Sequence, residues 1–253
     1  MRSLDYAVLT QNIIQWIKDY IHSAGAEGVV VGLSGGIDSS VTAALCTKAL
    51  GKRNIIGLNL PCESFERDED PNLMSKVLDI QYHKFDLTPT YKDLIKLVES
   101  EITTNKLAKG NIKPRLRMSV LYLIAQSKGS YLVAGTGNRT EIAIGYFTKY
   151  GDGGVDFEPI GDLYKYEVRE IAKLLEIPHQ IIEKPPSAGL WKGQTDEAEI
   201  GLSYEMLDEI IYHIDYNLDL KGFREEDIRK VQKMMKKSQH KQRMPPLFRV
   251  DKI

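Results

Sequence analysis

Apolar residues recur along the chain at two spacings. Between Asp5 and Ala24, Leu9, Ile13, Trp16, Ile17 and Tyr20 fall at helical spacing behind Ser3 as N-cap, which predicts an amphipathic opening helix. Gly28-Val29-Val30-Val31-Gly32-Leu33 is short, β-branched and bounded by glycine, the pattern of a buried strand. A helix from about Asp38 to Leu50 and a second apolar strand at Ile55–Leu60 complete a βαβ unit, so the sheet is expected to be parallel with right-handed crossovers. The alternation continues with a helix near Asn72–Ile80, a strand near Tyr82–Phe85, helices at about Thr90–Glu101 and Leu116–Ser127, and a strand at Tyr131–Gly135. The fold class predicted is α/β: a doubly wound parallel sheet of at least four strands, with helices on both faces.

The rhythm breaks between Thr136 and Gly161, where Gly, Asp and aromatic residues crowd together; the segment reads as a long functional loop. Helices resume at Leu163–Leu175, stop before Pro178 and resume after Lys184-Pro185-Pro186, with Thr195 and Ser203 as starting caps. With no linker, repeat or low-complexity tract, the expectation is one domain over residues 1–253 with a helical C-terminal extension.

Composition narrows the class. An apolar fraction of 42% with 20 glycines and 10 prolines excludes collagen-like and disordered chains. No apolar run approaches the roughly 20 residues that span a bilayer, and the N-terminus lacks a signal-peptide layout, so a cytoplasmic protein with no membrane partner is expected. Cys46 and Cys62 suit neither a disulfide framework nor a zinc pair. The net charge of −1 conceals nine Lys/Arg against three acids between Lys221 and Arg243, a local +6 that leaves −7 for the rest. Such a patch could meet phosphates or be a solvated helix face.

The first chemical signal is Gly32-Leu33-Ser34-Gly35-Gly36-Ile37-Asp38-Ser39, lying between the first strand and its helix, where an open parallel sheet binds ligands. Glycines let the backbone approach an anion, and free N–H groups at the helix start, with the serine hydroxyls, can hold phosphate. Neither a Walker A lysine nor G-x-G-x-x-G spacing is present. Asp38 would repel phosphate unless a cation intervened, so Mg²⁺ between Asp38 and a polyphosphate is expected. The loop resembles that of the ATP pyrophosphatases, which cleave ATP to AMP and pyrophosphate. Within that superfamily thiolation needs reactive cysteines, and Cys46 and Cys62 read as packing residues.

The second signal is Gly135-Thr136-Gly137-Asn138-Arg139-Thr140-Glu141, which follows a strand and so shares the sheet edge with the phosphate loop; Glu141 and Asp38, 103 residues apart, could share one metal. Together GTGNRTE, GYFTKYGDGGVD, PIGDLYKYEVRE, EKPPSAGLWKGQTDE and HKQRMPP resemble the ammonia-dependent NAD⁺ synthetases, from about Gly28 to Pro246. The resemblance implies a ligase that amidates deamido-NAD⁺ with ammonia, using ATP as co-substrate and Mg²⁺ as cofactor. It implies that Gly32, Leu33, Ser34, Gly35, Gly36, Ile37, Asp38 and Ser39 hold ATP with Thr136, Lys165 and Ser187, and that Asp38 and Glu141 are the metal ligands. Arg115, Lys149, Asp156, His240 and Lys241 would contact the dinucleotide, with Arg117 as the alternative to Arg115. Asp38, Lys165 and Asp156 are the candidate catalytic residues, Asp156 being a candidate base for ammonium. Ammonia is the expected donor because the chain has no room for a glutaminase domain and neither cysteine sits in a nitrilase setting.

A carboxylate is a poor electrophile, so the expected route is its adenylation followed by displacement of AMP by ammonia, with segments 63–70 and 186–197 as lids against water. The family resemblance also implies a homodimer. The rivals are another ATP-dependent amide synthetase, which leaves the 145–156 loop unexplained, and an RNA-binding protein. Against the latter, Arg229–Arg243 has no aromatic residue for base stacking, so no nucleic-acid partner is expected.

Overall fold

The structure, a computed structural model, describes residues 2–250 apart from 64–68, 188, 190 and 192. Helix α1 (Tyr6–Ser23) starts two residues later than Ser3 suggests. Asp5 is the cap, its Oδ1 accepting the N–H groups of Ala7 and Val8 at 3.0 Å each; a carboxylate there gains from the helix dipole as well. The sheet is built from β1 (Gly28–Gly32), α2 (Ile37–Leu50), β2 (Ile55–Asn59), α3 (Glu69–Leu78), β3 (Gln81–Lys84), α4 (Thr88–Glu99), α5 (Lys106–Ser127) and β4 (Tyr131–Ala134). All the pairings are parallel, in the order β3-β2-β1-β4.

The period-2 pattern of β1 sends Val29 and Val31 into one core, with α1, α2 and the segment around Ile160–Leu175, while Val30 enters the opposite core beside Leu87, Tyr91 and Ala125 of the α4–α5 side. Helix α2 lies between the sheet and other helices, which is why ten of its fourteen residues are buried. The chain order reverses between β1 and β4, so the loops leaving these neighbouring strands flank one crevice at the carboxyl edge of the sheet.

Helix α5 is ten residues longer than the apolar run from Leu116 predicts, and Pro114 lies inside it. Proline removes one i→i−4 hydrogen bond. Ile112, Leu116, Val120 and Leu121 of the same helix pack on the core, on both sides of the proline, and this packing carries the helix through it.

The stretch expected to be one long loop is partly ordered into α6 (Arg139–Ile144), and its far end runs beside β4 through an isolated parallel bridge, Ala134 to Phe157. Asn138 makes the helix start, its Oδ1 accepting from Glu141 N at 3.0 Å. Beyond it come α7 (Lys165–Leu174), α8 (His179–Ile182), α9 (Asp196–Ile200), α10 (Tyr204–Asp215) and α11 (Glu225–Ser238), ending in a 3-10 turn at Gln239–Lys241. Ser203 caps α10 through Met206 N, whereas Thr195 stands at the start of α9 without a side-chain cap bond. A separate core of Ile144, Tyr164, Ile200, Leu207, Ile210, Ile211 and Val231 binds α6, α10 and α11 together. Gly145 closes α6 at φ +69°, and a Cβ there would come within 2.1 Å of Ser238 Cβ, so this glycine lets the end of α11 dock. Among the described residues no helix is long and apolar enough to cross a membrane.

Candidate active site

The phosphate loop leaves β1 and enters α2 with Gly36 as N-cap, so the first amides of a fourteen-residue helix face the crevice. Its hydroxyls hold the turn: Ser39 Oγ donates to Gly36 O at 3.0 Å, lies 3.1 Å from Ser34 Oγ and accepts from Ser34 N. Gly35 has φ +80°, and a Cβ on it would meet Asp70 and Pro71 at 2.8 and 2.9 Å. Asp70 in turn takes Lys184 Nζ at 3.1 Å, so the segment leading to Ser187 is tied down beside the phosphate loop. Ser187 itself donates to Gln194 O at 2.8 Å.

Three predicted residues meet at one point. Lys165 Nζ lies 2.6 Å from Asp38 Oδ2 and 3.1 Å from Glu141 Oε1, with its side chain only 2% exposed. Burial opposes a charged lysine, but the two carboxylates outweigh it and raise the Lys165 pKa well above its usual value. Glu141 is raised to about 7 by burial, against the pull of Lys165 and with the Asp38 charge adding to the rise. The residues that could have been helix-surface groups are thus interior: Lys165 is 1% exposed and Glu167 fully buried, the latter accepting from Tyr164 N and pairing with Arg2.

The donor set suits a hard dication. Asp38 and Glu141 converge beside the Lys165 ammonium, and carboxylate oxygens of this kind, completed by phosphate oxygens, are what Mg²⁺ takes. No third His, Cys, Asp or Glu completes a protein-only metal cage among the described residues.

Four supporting residues escaped the sequence reading. Asn138, fully buried, donates its Nδ2 to Asp38 Oδ1 at 2.9 Å while capping α6, so one side chain orients both carboxylate-bearing elements. Asp208 of α10 accepts from Thr140 Oγ1 and from Tyr166 N (2.8 Å), fixing the first turn of α7 and hence Lys165. Tyr204 and Asp196 lie beside Glu141. The N-cap spacing of Asn138 three residues before Glu141 was readable; the other contacts join residues far apart in sequence.

Glu141 also lines a cleft of about 430 Å³ together with Thr136, Lys149, Asp156, Glu158 and Lys241. The dinucleotide candidates therefore adjoin the ATP candidates. Asp156 straps the loop to β4: its Oδ2 accepts from Val133 N at 2.7 Å and its Oδ1 from Tyr122 OH at 3.0 Å. Lys241 Nζ donates to Gly145 O and Phe147 O, both at 2.7 Å, and burial lowers its pKa. Lys149 Nζ reaches His240 O at 2.6 Å, so His240 joins the site through its carbonyl. The two arginines part company because two residues turn a helix by about 200°. Arg115 points to Lys149 O (3.4 Å), on the cleft side, and Arg117 Nε donates to Leu60 O (3.0 Å) at the end of β2.

Glu158, which the sequence reading passed over, packs on the backbone of Gly135 and accepts from Gly137 N at 3.1 Å; burial pushes its carboxyl up to about 8. A larger hollow of about 690 Å³, bounded by α4, Lys109 and Glu63 of the first lid candidate, contains none of the predicted catalytic or binding residues. Of the two lid candidates, residues 64–68, 188, 190 and 192 lie outside the described residues. Both cysteines are buried and their thiols are raised by that burial, Cys46 to about 12, as expected of packing residues.

The NAD synthase family model matches residues 9–245. Relatives named NH(3)-dependent NAD(+) synthetase include that of Archaeoglobus fulgidus, 44% identical with 98% of each chain covered, and that of Methanosarcina mazei, 42% identical over 96% of this chain and 98% of the other. Among solved structures, an NMN synthetase from Francisella tularensis superposes with a TM-score of 0.87 at 33% identity, covering 97% of this chain and 99% of that one. An NH3-dependent NAD synthetase from Campylobacter jejuni superposes with 0.83 at 28% identity, covering 98% and 100%. Both the sequence match and the superposition run through the phosphate loop, the β4 cluster and the C-terminal helices, and the chain belongs to the NAD synthase family.

Proposed function

We propose that this chain makes NAD⁺ from deamido-NAD⁺, ammonia and ATP, releasing AMP and pyrophosphate. The observation that carries the reading is the junction at Glu141, where the cluster beside the phosphate loop meets a cleft lined by Thr136, Lys149, Asp156 and Lys241. Family membership, with relatives at 40–45% identity over nearly their full length, supports it.

In this reading the loop Gly32–Ser39 holds the phosphates of ATP, with Thr136 and Ser187 at its borders. Asp38 and Glu141 would hold Mg²⁺, which when bound would supply positive charge against the polyphosphate. Lys165 then faces the polyphosphate as a fixed cation, already in place before charge develops. The nicotinate carboxylate attacks the α-phosphorus, an acyl–O–P bond forms and the bond to pyrophosphate breaks. Ammonia attacks the acyl carbon, AMP leaves with its oxygen, and the amide remains. Arg115, Lys149, Lys241 and the backbone of His240 position the dinucleotide, with Asp156 as an acceptor fixed by its two hydrogen bonds. No protein nucleophile takes part, so positioning and exclusion of water carry the rate. The active unit is a homodimer in this reading, and a molar mass of about twice 28.6 kDa by light scattering is the expected result.

The NMN synthetase likeness gives the assay its second arm, because such an enzyme's product lacks the adenylate half. Purified protein with ATP and Mg²⁺ is offered deamido-NAD⁺ or nicotinate mononucleotide, each with ammonium or glutamine. NAD⁺ from deamido-NAD⁺ and ammonium, with one AMP per NAD⁺, is the expected outcome. Faster amidation of the mononucleotide would replace the substrate, and no ATP turnover would refute the reading.

A further inference from the structure

We propose that Tyr204 is a positioning residue for the ATP-handling cluster, holding Lys165 with its ring and joining Glu141 to Asp196 through its hydroxyl. The inference rests on the site reading above, in which Asp38, Glu141 and Lys165 face the polyphosphate.

Tyr204 begins α10 and is 1% exposed. A buried tyrosine beside Leu207, Ile210 and Ile211 is ordinarily a packing residue, with its hydroxyl finding whatever acceptor is near. Here every polar feature of the side chain points at one cluster. The ring centroid lies 4.8 Å from Lys165 Nζ. The ammonium already donates to Asp38 and Glu141, so the ring face occupies a third side and leaves it little freedom to move.

The hydroxyl lies 3.0 Å from Glu141 Oε1 and 3.0 Å from Asp196 Oδ2. A phenol has one proton to donate, so it serves one carboxylate at a time and shares its position between them. Asp196 is not isolated from the rest of the site. Its backbone N–H donates to Pro186 O at 3.1 Å, next to Ser187, and Tyr204 N donates to Glu197 Oε1 at 2.8 Å. One side chain therefore touches α6, α7 and α9, and the base of the Ser187 segment is registered against the same ammonium that faces the polyphosphate. Loss of the hydroxyl leaves Glu141 and Asp196 without their common donor while the ring stays in the core.

The test compares Tyr204→Phe, Asp196→Asn and Lys165→Met in the full chain. Melting temperature, kcat, KM for deamido-NAD⁺, and binding of Mn²⁺ in the presence of ATP without dinucleotide are measured. For Tyr204→Phe we expect a kcat 10- to 100-fold lower, Mn²⁺ binding weakened several-fold, KM within twofold of the parent and a near-parental melting temperature. Asp196→Asn, which keeps a polar side chain at the same place, is expected to shift kcat and Mn²⁺ binding in the same direction, and it carries the test if Tyr204→Phe does not fold. A lowered melting temperature with unchanged kcat and Mn²⁺ binding would overturn the inference. Lys165→Met separates the two levels: parental activity in that variant refutes the site reading itself, whereas an inactive Lys165→Met beside a fully active Tyr204→Phe refutes the role of Tyr204 alone.

Discussion

The two ends of the site are built on opposite electrostatic plans. At the proposed phosphate end Lys165, with its side chain 2% exposed, is pinned by two carboxylates inside the protein, and Asn138, Asp208 and Tyr204 hold each participant in place. At the cleft end the cations sit nearer solvent, and in this structure the ammonium groups of Lys149 and Lys241 hydrogen-bond backbone carbonyls. A buried, over-determined cluster is ready for charge that develops during reaction and costs heavily to alter. A rim of lysines on carbonyls can exchange those partners for a ligand's phosphates, so it is suited to binding and is screened by salt. The difference predicts that removing a charged group at the first end acts on kcat and stability, and that substitutions at the second act on KM.

The largest expected effect is that of Asp38→Ala. It removes a carboxylate from Lys165 and from the proposed metal site, so kcat should fall about 10²- to 10³-fold. Stability should fall by about 3 kcal/mol, because Glu141 alone is left to compensate a buried ammonium. Steady-state kinetics and denaturant titration check both. Next in size, Gly145→Ala places a Cβ on Ser238 at a positive φ and should destabilise by at least about 2 kcal/mol, with loosening of the α11 end seen by hydrogen exchange.

At the rim, Lys241→Met should raise KM for deamido-NAD⁺ about tenfold, the worth of one charge-assisted hydrogen bond, with kcat within threefold and the difference shrinking as salt is added. A kcat loss as large as that of Asp38→Ala would break the comparison between the two ends. Arg115→Ala should move KM in the same direction, while Arg117→Ala should act on stability through its bond to Leu60 O.

The smallest predicted effect concerns pH. Glu158 has a folded-state pKa of about 8, above the ordinary carboxyl value, so between about pH 4.5 and 8 the folded state binds more protons than the unfolded one. Stability therefore falls as pH rises through that window. Glu158→Gln removes this contribution and should flatten the fall by roughly 1 kcal/mol after allowance for solvent screening, measured as the difference in unfolding free energy between pH 6 and 8.

The fold was legible wherever one period ran unbroken. Strands β1, β2 and β4 and helices α2 and α7 lie within two residues of their predicted bounds, because apolar spacing there reports a buried face directly. Helix α5 begins ten residues before the apolar run at Leu116 that predicts it, because the core contacts on both sides of Pro114 that carry the helix leave no local period in the sequence. Helix α6 was hidden in a glycine-rich stretch, although Asn138 and Glu141 carried its start signal. In the site, the Ser34–Ser39 loop and Glu141 could be read from their places after strands. Tyr204, Asp196 and Asp208 could not, because their roles depend on how α9 and α10 fold back onto α6 and α7, a contact with no local period. Glu158 carries no local signal, and its burial against Gly135 arises from the way residues 155–158 run along β4.

The most direct test of the account follows oxygen. Deamido-NAD⁺ labelled with ¹⁸O in both carboxylate positions is turned over with ATP, Mg²⁺ and ammonium, by the parent chain and by Asp38→Ala, and the products are weighed by mass spectrometry. The account predicts one ¹⁸O in each AMP, none in pyrophosphate and one retained in the amide, with the rate collapsing in the variant. Label in pyrophosphate, or AMP without label, would contradict activation of the carboxylate at this site.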